Sequence, residues 1–280
     1  MYITINGQLG SGKSEICKYF KKEHGFDIFS TGRIQREKAL LEGISTLEMN
    51  KKSGKDYSLD YLIDNATVKF AKDHEGEDVI FDSRLAWHFV EDSFKIHLLV
   101  SPGEAGRRVY FNRKTEEEKY KDEIDAANQL VERRRLESER YLKVYDVVMN
   151  DYSNYNLVLD TTSLSIKEVC EVLNNEVNEF KKGNYKNKIL ASPKNIYPAK
   201  KVSSEYKESD KDIIDIICYN DFMFAIDGNQ KLKKANDEGK KIIEVNLIEG
   251  NKEDVSITLD EIFEWEKENG FKYAFYPISE

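Results

Sequence analysis

Eight residues near the start of the chain, Gly7-Gln-Leu-Gly-Ser-Gly-Lys-Ser14, constrain its fold more than any other stretch. A glycine-rich run closing on Lys-Ser can wrap a phosphate only where a strand leads into it and a helix leads out. Both flanks fit. Tyr2-Ile-Thr-Ile5 is a short apolar run that reads as a buried strand, and Glu15 to Lys22 reads as a helix with Ile16, Cys17 and Phe20 on one face. In that setting the N–H groups of Gly10 to Lys13 wrap a β-phosphate, helped by the positive end of the helix. The expected ATP site is Gly7, Gly10, Ser11, Gly12, Lys13 and Ser14, with Lys13 reaching the β/γ oxygens and the Ser14 hydroxyl on Mg2+.

Four more apolar runs recur between helical patterns: Phe26 to Phe29, Val79 to Phe81, Ile96 to Val100 and Leu157 to Leu159. With the first strand they predict an α/β fold, a five-stranded parallel sheet flanked by helices on both faces. Ser101-Pro102-Gly-Glu104 and Ser165-Ile-Lys-Glu168 carry capping-box spacings at the starts of two of those helices. The second of these helices has an apolar face of Ile166, Val169, Val172, Leu173 and Val177. Lys181 to Lys188 is basic and aperiodic, so it reads as a linker between a domain at 1–180 and an α+β domain at 189–280. In the latter, Ile213 to Cys218 and Phe222 to Ile226 read as a hairpin. Asp227-Gly228 leads into a helix ending at Gly239, followed by a strand at Ile242 to Ile248 and a short helix at Leu259 to Glu268 with Phe263 and Trp265.

The residues that follow the second and third strands bear on what the phosphate is for. Ser30-Thr-Gly-Arg-Ile-Gln-Arg36 enters a helix after strand two, and Val79-Ile-Phe-Asp-Ser-Arg84 ends strand three in a carboxylate and an arginine. Taken singly, Thr31 reads as a helix cap, Arg36 as a solvated residue and Asp82 as a strand end. Following a P-loop in this order, they resemble the nucleoside monophosphate kinases, and most closely the short, archaeal-type cytidylate kinases, over residues 2–178. The resemblance implies that Thr31, Arg36 and Arg84 bind the acceptor monophosphate, arginine offering it paired charged donors. It also implies that Asp82 joins Ser14 at the Mg2+. Ser83 stands where those kinases carry glycine, and Asp146-Val-Val148 where they carry Gly-Ile-Asp. The segments 48–51 and 56–64 resemble their acceptor-side helices, while no residue maps onto the reader of the base.

In kinases of this type a lid brings arginines over the transferring group. The candidates are Arg107, Arg108 and Arg113, then Arg133 to Arg135 and Arg140, with Lys13, Arg113, Arg133 and Arg140 the expected catalytic set. Arg133 and Arg140 are seven apart and share a helix face, although Glu132, Glu137 and Glu139 can pair with these charges. Residues 114–130 read as the lid tip. His24, His74, His88 and His97 show no pairing or metal spacing and read as structural or surface residues.

Residues 189–250 resemble the ParB/sulfiredoxin-like module through Ile189 to Pro198 and Phe222 to Leu232. Asn229, Gln230 and Lys231 replace the His-His-Arg that often follows its Asp-Gly, which implies a degenerate binding or regulatory unit.

The bulk numbers exclude several classes. A net charge of −9 argues against a general nucleic-acid surface or an anionic membrane as partner. No apolar run approaches the roughly 20 residues needed to span a bilayer. The strand at Tyr2 leaves no room for a signal peptide, and three scattered cysteines read as buried thiols in a cytoplasmic protein. The expected activity is ATP-dependent phosphoryl transfer to a nucleoside monophosphate, with CMP as the acceptor and Mg2+ as cofactor. A P-loop kinase for another small acceptor, and a nucleotide-binding regulator without kinase activity, remain open alternatives. Oligomeric state is not legible.

Overall fold

Short apolar runs alternating with amphipathic helices produce the expected wound sheet. In chain order the elements are β1 (Tyr2–Gly7), α1 (Lys13–His24), β2 (Asp27–Ser30), α2 (Thr31–Leu41), α3 (Thr46–Ser53), α4 (Ser58–Asp73), β3 (Val79–Asp82), α5 (Ala86–Phe89), β4 (Ser93–Leu99), α6 (Pro102–Asn112) and α7 (Glu123–Tyr145). Then follow β5 (Leu157–Asp160), α8 (Ile166–Lys181), β6 (Lys188–Ala191), β7 (Ile196–Pro198), β8 (Ile214–Tyr219), β9 (Phe222–Asp227), α9 (Asn229–Asp237) and β10 (Ile243–Asn251). This computed structural model describes residues 1–54, 56–112, 120–198, 213–219 and 222–251. Arg113, the segment 114–119, the turn residues Asn220 and Asp221, and the helix read at Leu259 to Glu268 lie outside the described residues.

The sheet runs β2-β3-β1-β4-β5-β6-β10-β8-β9-β7. Its first five strands are mutually parallel, as the alternating pattern predicts. The chain winds away from β1 to β3 on one side and to β4 on the other, so the carboxyl ends of β1, β2 and β3 open at a topological switch point. Register sets Asp82 beside Ile5 and Ser30. Ile3, Ile5, Ile96 and Leu98 from the sheet pack with Ile16 and Phe20 of α1 and Val169, Leu173 and Val177 of α8. Ile166, expected on that face, is instead 47% exposed at the first position of α8.

The two capping boxes part ways. At α8 both reciprocal bonds of Ser165 and Glu168 form. At α6 the Glu104 N–H donates to Ser101 Oγ at 3.4 Å, but the Glu104 carboxylate turns to Arg107 and Arg108.

The polar stretch read as a linker is the connection into β6, which pairs parallel with β5 and antiparallel with β10. Everything described after it therefore extends the same sheet, and an interior joins Leu85, Trp87 and Val158 to Ile196, Ile214, Met223 and Leu232. Without β6, strand β5 would be a bare edge. Asp160 at the end of β5 ties the two regions. It is fully buried and accepts from Thr162 N–H (2.9 Å), Thr162 Oγ1 (2.6 Å), Ser192 N–H (3.1 Å) and Asn195 Nδ2 (2.6 Å). Strands β8 and β9 form the expected antiparallel pair. Gly228, at φ 80°, caps α9 where a Cβ would lie 3.2 Å from the Cα of Ile214. Among the described residues no helix is long and apolar enough to cross a membrane.

Helix α7 ends on Asp146 at φ 55°, the one non-glycine residue in the left-handed region among those described. An Asp there carries backbone strain and puts a negative charge at the negative end of a helix. Asp146→Gly is expected to stabilise the fold by about 0.5–1 kcal/mol. A urea melt should show a raised midpoint with an unchanged slope.

Candidate functional site

Strand β1 delivers the chain into the P-loop at Gly7, and the loop returns into α1 at Lys13. Gly10 has φ 82°, and a Cβ on it would stand 2.9 Å from Ala105, so α6 packs directly on the loop backbone. Gly12, at φ 95°, occupies the cap position of α1 with no side-chain cap, which leaves the helix's positive end to a ligand. Lys13 Nζ donates to the Gly7 carbonyl at 3.3 Å. The Thr161 hydroxyl lies 3.2 Å from the carbonyl of Ser11, and Arg108 braces the loop from behind, donating to Thr161 O at 2.7 Å and to Gly10 O at 3.4 Å.

The second set of residues arrives from β2 and β3. Helix α2 starts at Thr31, so Ser30, rather than Thr31, takes the cap position. The Ser30 hydroxyl donates to Asp82 Oδ2 at 3.0 Å. Arg36 lies one turn into α2 with Nη1 over Gly32, where an added Cβ would sit 3.4 Å away. Two residues past Asp82, Arg84 donates to the Gly7 carbonyl, and its Nε pairs with Glu137 Oε2 at 2.9 Å.

Helix α7 supplies the third set. Arg133 Nε pairs with Glu137 Oε1 at 3.0 Å, so one buried carboxylate holds Arg84 and Arg133 together. Burial pushes the Glu137 carboxyl up, but Arg84, Arg133 and Arg140 outweigh it and hold it at about 2. Arg140 is buried; its Nε lies 3.2 Å from Asp60 Oδ2, Nη1 donates to Asn50 Oδ1 at 3.1 Å and Nη2 to the Tyr141 hydroxyl at 3.2 Å. It thereby ties α3, α4 and α7. Burial, with Asp64 and Glu137 nearby, pushes Asp60 up to about 6 against the pull of Arg140.

These elements border one open cleft, lined among others by Lys13, Ser14, Thr31, Arg36, Asp82, Arg84, Arg133 and Arg140. The seven-residue spacing does bring Arg133 and Arg140 to a common face. The remaining lid candidates among the described residues go elsewhere. Arg107 pairs with Glu104 at 2.7 Å, Arg108 serves the P-loop, and Arg135 sits on the surface between Glu132 and Glu139. Arg134 borders a small cavity behind the loop with His97.

The expected lid tip at 114–130 is partly a packed helix. α7 begins at Glu123, Ala126 and Ala127 are buried, and a Cβ on Gly106 would stand 2.5 Å from the Glu123 carbonyl. The alanines and Gly106 let two backbones touch, which charge content alone does not reveal. His97 is structural as expected, buried with Nδ1 3.2 Å from Asn6 Nδ2. The sequence reading gave no role to Asp60, Asp64 or Tyr141, which border the cleft, and took Glu137 for one of several helix-surface partners. The available signal was the Asp60/Asp64 pair one helical turn apart beside Leu59 and Ile63.

Removing Glu137's charge takes the shared carboxylate from the buried Arg133 and the half-buried Arg84. Glu137→Gln is expected to cost about 3 kcal/mol at pH 7 in denaturant unfolding. A carboxyl held low in the fold stabilises it above the unfolded value, here 4.5, and that stabilisation fades as pH falls toward about 2. The gap between wild type and Glu137→Gln should therefore narrow below pH 4.5.

A family model described as the cytidylate kinase-like family matches residues 2–163. A cytidylate kinase of Natronomonas pharaonis is 33% identical, the match covering 64% of this chain and 91% of that protein. A cytidylate kinase of Sulfurisphaera tokodaii is 29% identical, with 62% and 93% covered. An S-adenosylmethionine-dependent nucleotide dehydratase of Lacinutrix mariniflava is 28% identical over 67% of this chain, but the match covers 37% of that protein. Because the family match takes in the entire cleft and more than half of the chain, the chain belongs to the cytidylate kinase-like family and is a nucleoside monophosphate kinase.

Proposed function

We propose that the protein transfers the γ-phosphoryl of ATP to CMP, with Mg2+ as cofactor. The observation that carries this reading is the meeting, in one cleft, of a P-loop lysine with four arginines, Arg36 from α2, Arg84 from the turn after β3, and Arg133 and Arg140 from α7. A hydrolase has no acceptor phosphate for a second set of arginines to hold. The relatives named as cytidylate kinases support CMP as the acceptor.

Each side chain has a role in that reading. Lys13 and the loop N–H groups hold the β/γ oxygens of ATP, and Thr31, Arg36 and Arg84 hold the acceptor phosphate. The hydroxyl of Ser14 and the carboxylate of Asp82, two hard oxygen donors bordering the cleft, fit a magnesium ion that keeps most of its waters. Such an ion neutralises charge on the phosphates when bound. Arg133 offers positive charge to the negatively charged oxygens of the transferring group, while Arg140 keeps α4 and α7 in place. Arg84, fixed by Gly7 and Glu137, needs little rearrangement before transfer, which lowers the cost of positioning.

Purified protein with ATP, Mg2+ and CMP should release ADP and form CDP. ATP binding without acceptor-dependent ADP release would favour a nucleotide-binding regulator instead. Lys13→Ala should lose about 10²–10³-fold in kcat with an unchanged melting temperature. Arg36→Ala should raise KM for the acceptor at least about tenfold and leave KM for ATP within about twofold, because it removes a contact to one phosphate only.

A further inference from the structure

Two elements press on the P-loop from behind, and both are fastened to one turn. Helix α6 brings Ala105 against Gly10 and carries Arg108 to the Gly10 carbonyl at 3.4 Å. The turn after β5 sets Thr161 Oγ1 3.2 Å from the Ser11 carbonyl and takes Arg108 on the Thr161 carbonyl at 2.7 Å. In a trans peptide the N–H lies opposite the C=O. Holding the Ser11 carbonyl toward Thr161 therefore turns the Gly12 N–H away from it, which sets the aim of one of the groups assigned to the β-phosphate.

The side chain that ties this turn down comes from outside the family match, which ends at residue 163. Asn195 Nδ2 spends both its hydrogens there, donating to Asp160 Oδ2 at 2.6 Å and to Thr162 Oγ1 at 2.8 Å. Ser192 adds its N–H to Asp160 Oδ2 at 3.1 Å, and its hydroxyl lies 2.8 Å from that of Ser163. Thr162 Oγ1 also accepts from the Ser101 N–H at 2.8 Å, at the entry to α6. One amide thus reaches both elements that bear on the loop. Its own turn is held from α9, where Asn236 Nδ2 donates to the Pro193 carbonyl at 3.2 Å. Asp160 is fully buried, and among the described residues neutral donors hold it without an ion pair. A buried carboxylate is costly to leave short of a donor, so the turn shifts when Asn195 is lost.

Resting on the P-loop as the ATP site, we infer that Asn195 is a positioning residue for the donor nucleotide. Acting through Asp160 and Thr162, it holds the β5 turn and the start of α6 against the loop and so keeps the loop in its ATP-binding shape. No residue described after 163 borders the cleft, so the effect reaches ATP through the loop and not by contact. The acceptor side, built on α2, α4 and the turn after β3, shares none of these bonds, and donor and acceptor affinities should separate.

The test uses the full chain. Calorimetry gives the dissociation constant of MgATP, and steady-state rates give KM for ATP, KM for CMP and kcat, with melting temperatures alongside. Asn195→Ala should raise the ATP dissociation constant and KM about five- to tenfold and leave KM for CMP within about twofold. Asn195→Asp, which sets a second carboxylate against Asp160, should weaken ATP at least as far. Thr161→Val removes the hydroxyl at the loop end of the path. Combined with Asn195→Ala, it should bind ATP within about twofold of the weaker single variant, because both act through one turn. Val245→Ala, an apolar truncation at a buried position of β10, loosens the appended strands without touching the amide. It should leave KM for ATP within about twofold of wild type.

An unchanged ATP dissociation constant in folded Asn195→Ala and Asn195→Asp would overturn the inference. So would equal rises in KM for both substrates, effects of Asn195→Ala and Thr161→Val that multiply, or a Val245→Ala variant that weakens ATP as much as Asn195→Ala. A wild type that binds ATP but phosphorylates no monophosphate would bring down the proposed reaction, and the binding comparison would still decide the role of Asn195. A wild type that binds no ATP would bring down both.

Discussion

The buried carboxylate of Glu137 is the interaction on which the rest of the site depends. A cleft built for phosphates must hold several guanidinium groups near one another before any phosphate arrives, and like charges at that spacing repel. Glu137 answers this with one side chain, an oxygen 2.9 Å from Arg84 and another 3.0 Å from Arg133. Its own burial is costly, and the surrounding arginines outweigh that cost, which is why it stays ionised. Arg84 then reaches the Gly7 carbonyl, so the electrostatics of α7 are coupled to the backbone of the P-loop. A neutral residue at 137 would leave the same arginines present but without a reason to converge.

That coupling works because the sheet places its partners. β1 lies between β3 and β4, and register alone sets Asp82 level with Ile5 and Ser30. The loop is also braced from the far side. Thr161, directly after Asp160, contacts the Ser11 carbonyl, and Asp160 is held by Ser192 and Asn195 from the turn between β6 and β7, beyond the family match. The added C-terminal strands are thus joined through one buried carboxylate to the turn that touches the phosphate loop. An ion pair between Lys241 and Glu168 at 2.6 Å adds a second, exposed tie.

What could be read from the sequence was whatever is local. The P-loop, the five parallel strands and the capping box at Ser165 are each specified within about eight residues, by hydrophobic period and turn chemistry. The shared face of Arg133 and Arg140 follows from helical period alone. What escaped the reading depends on chain-distant pairs. Arg84 meets Glu137 53 positions away by number, and Asp60 meets Arg140 across three helices. Nothing in the composition of 181–188 distinguishes a loop inside a sheet from a tether between domains; the difference lies in whether Leu157 finds Lys188 as a strand partner. The packed start of α7 was obscured by its charges, since helix packing there rests on Gly106 and two alanines rather than on large apolar residues.

The polarity of the cleft also constrains how two nucleotides can share it. Both carry phosphate, and both would seek Lys13 and the arginines. The P-loop resolves the competition for ATP, because only an extended polyphosphate can use its ring of N–H groups and the lysine together. On the proposed reading a monophosphate gains less there and more from the paired donors of Arg36 and Arg84. In phosphoryl transfer the protein contributes mainly position and charge, so a cleft whose cations are fixed before the substrates arrive supplies most of what such a site can.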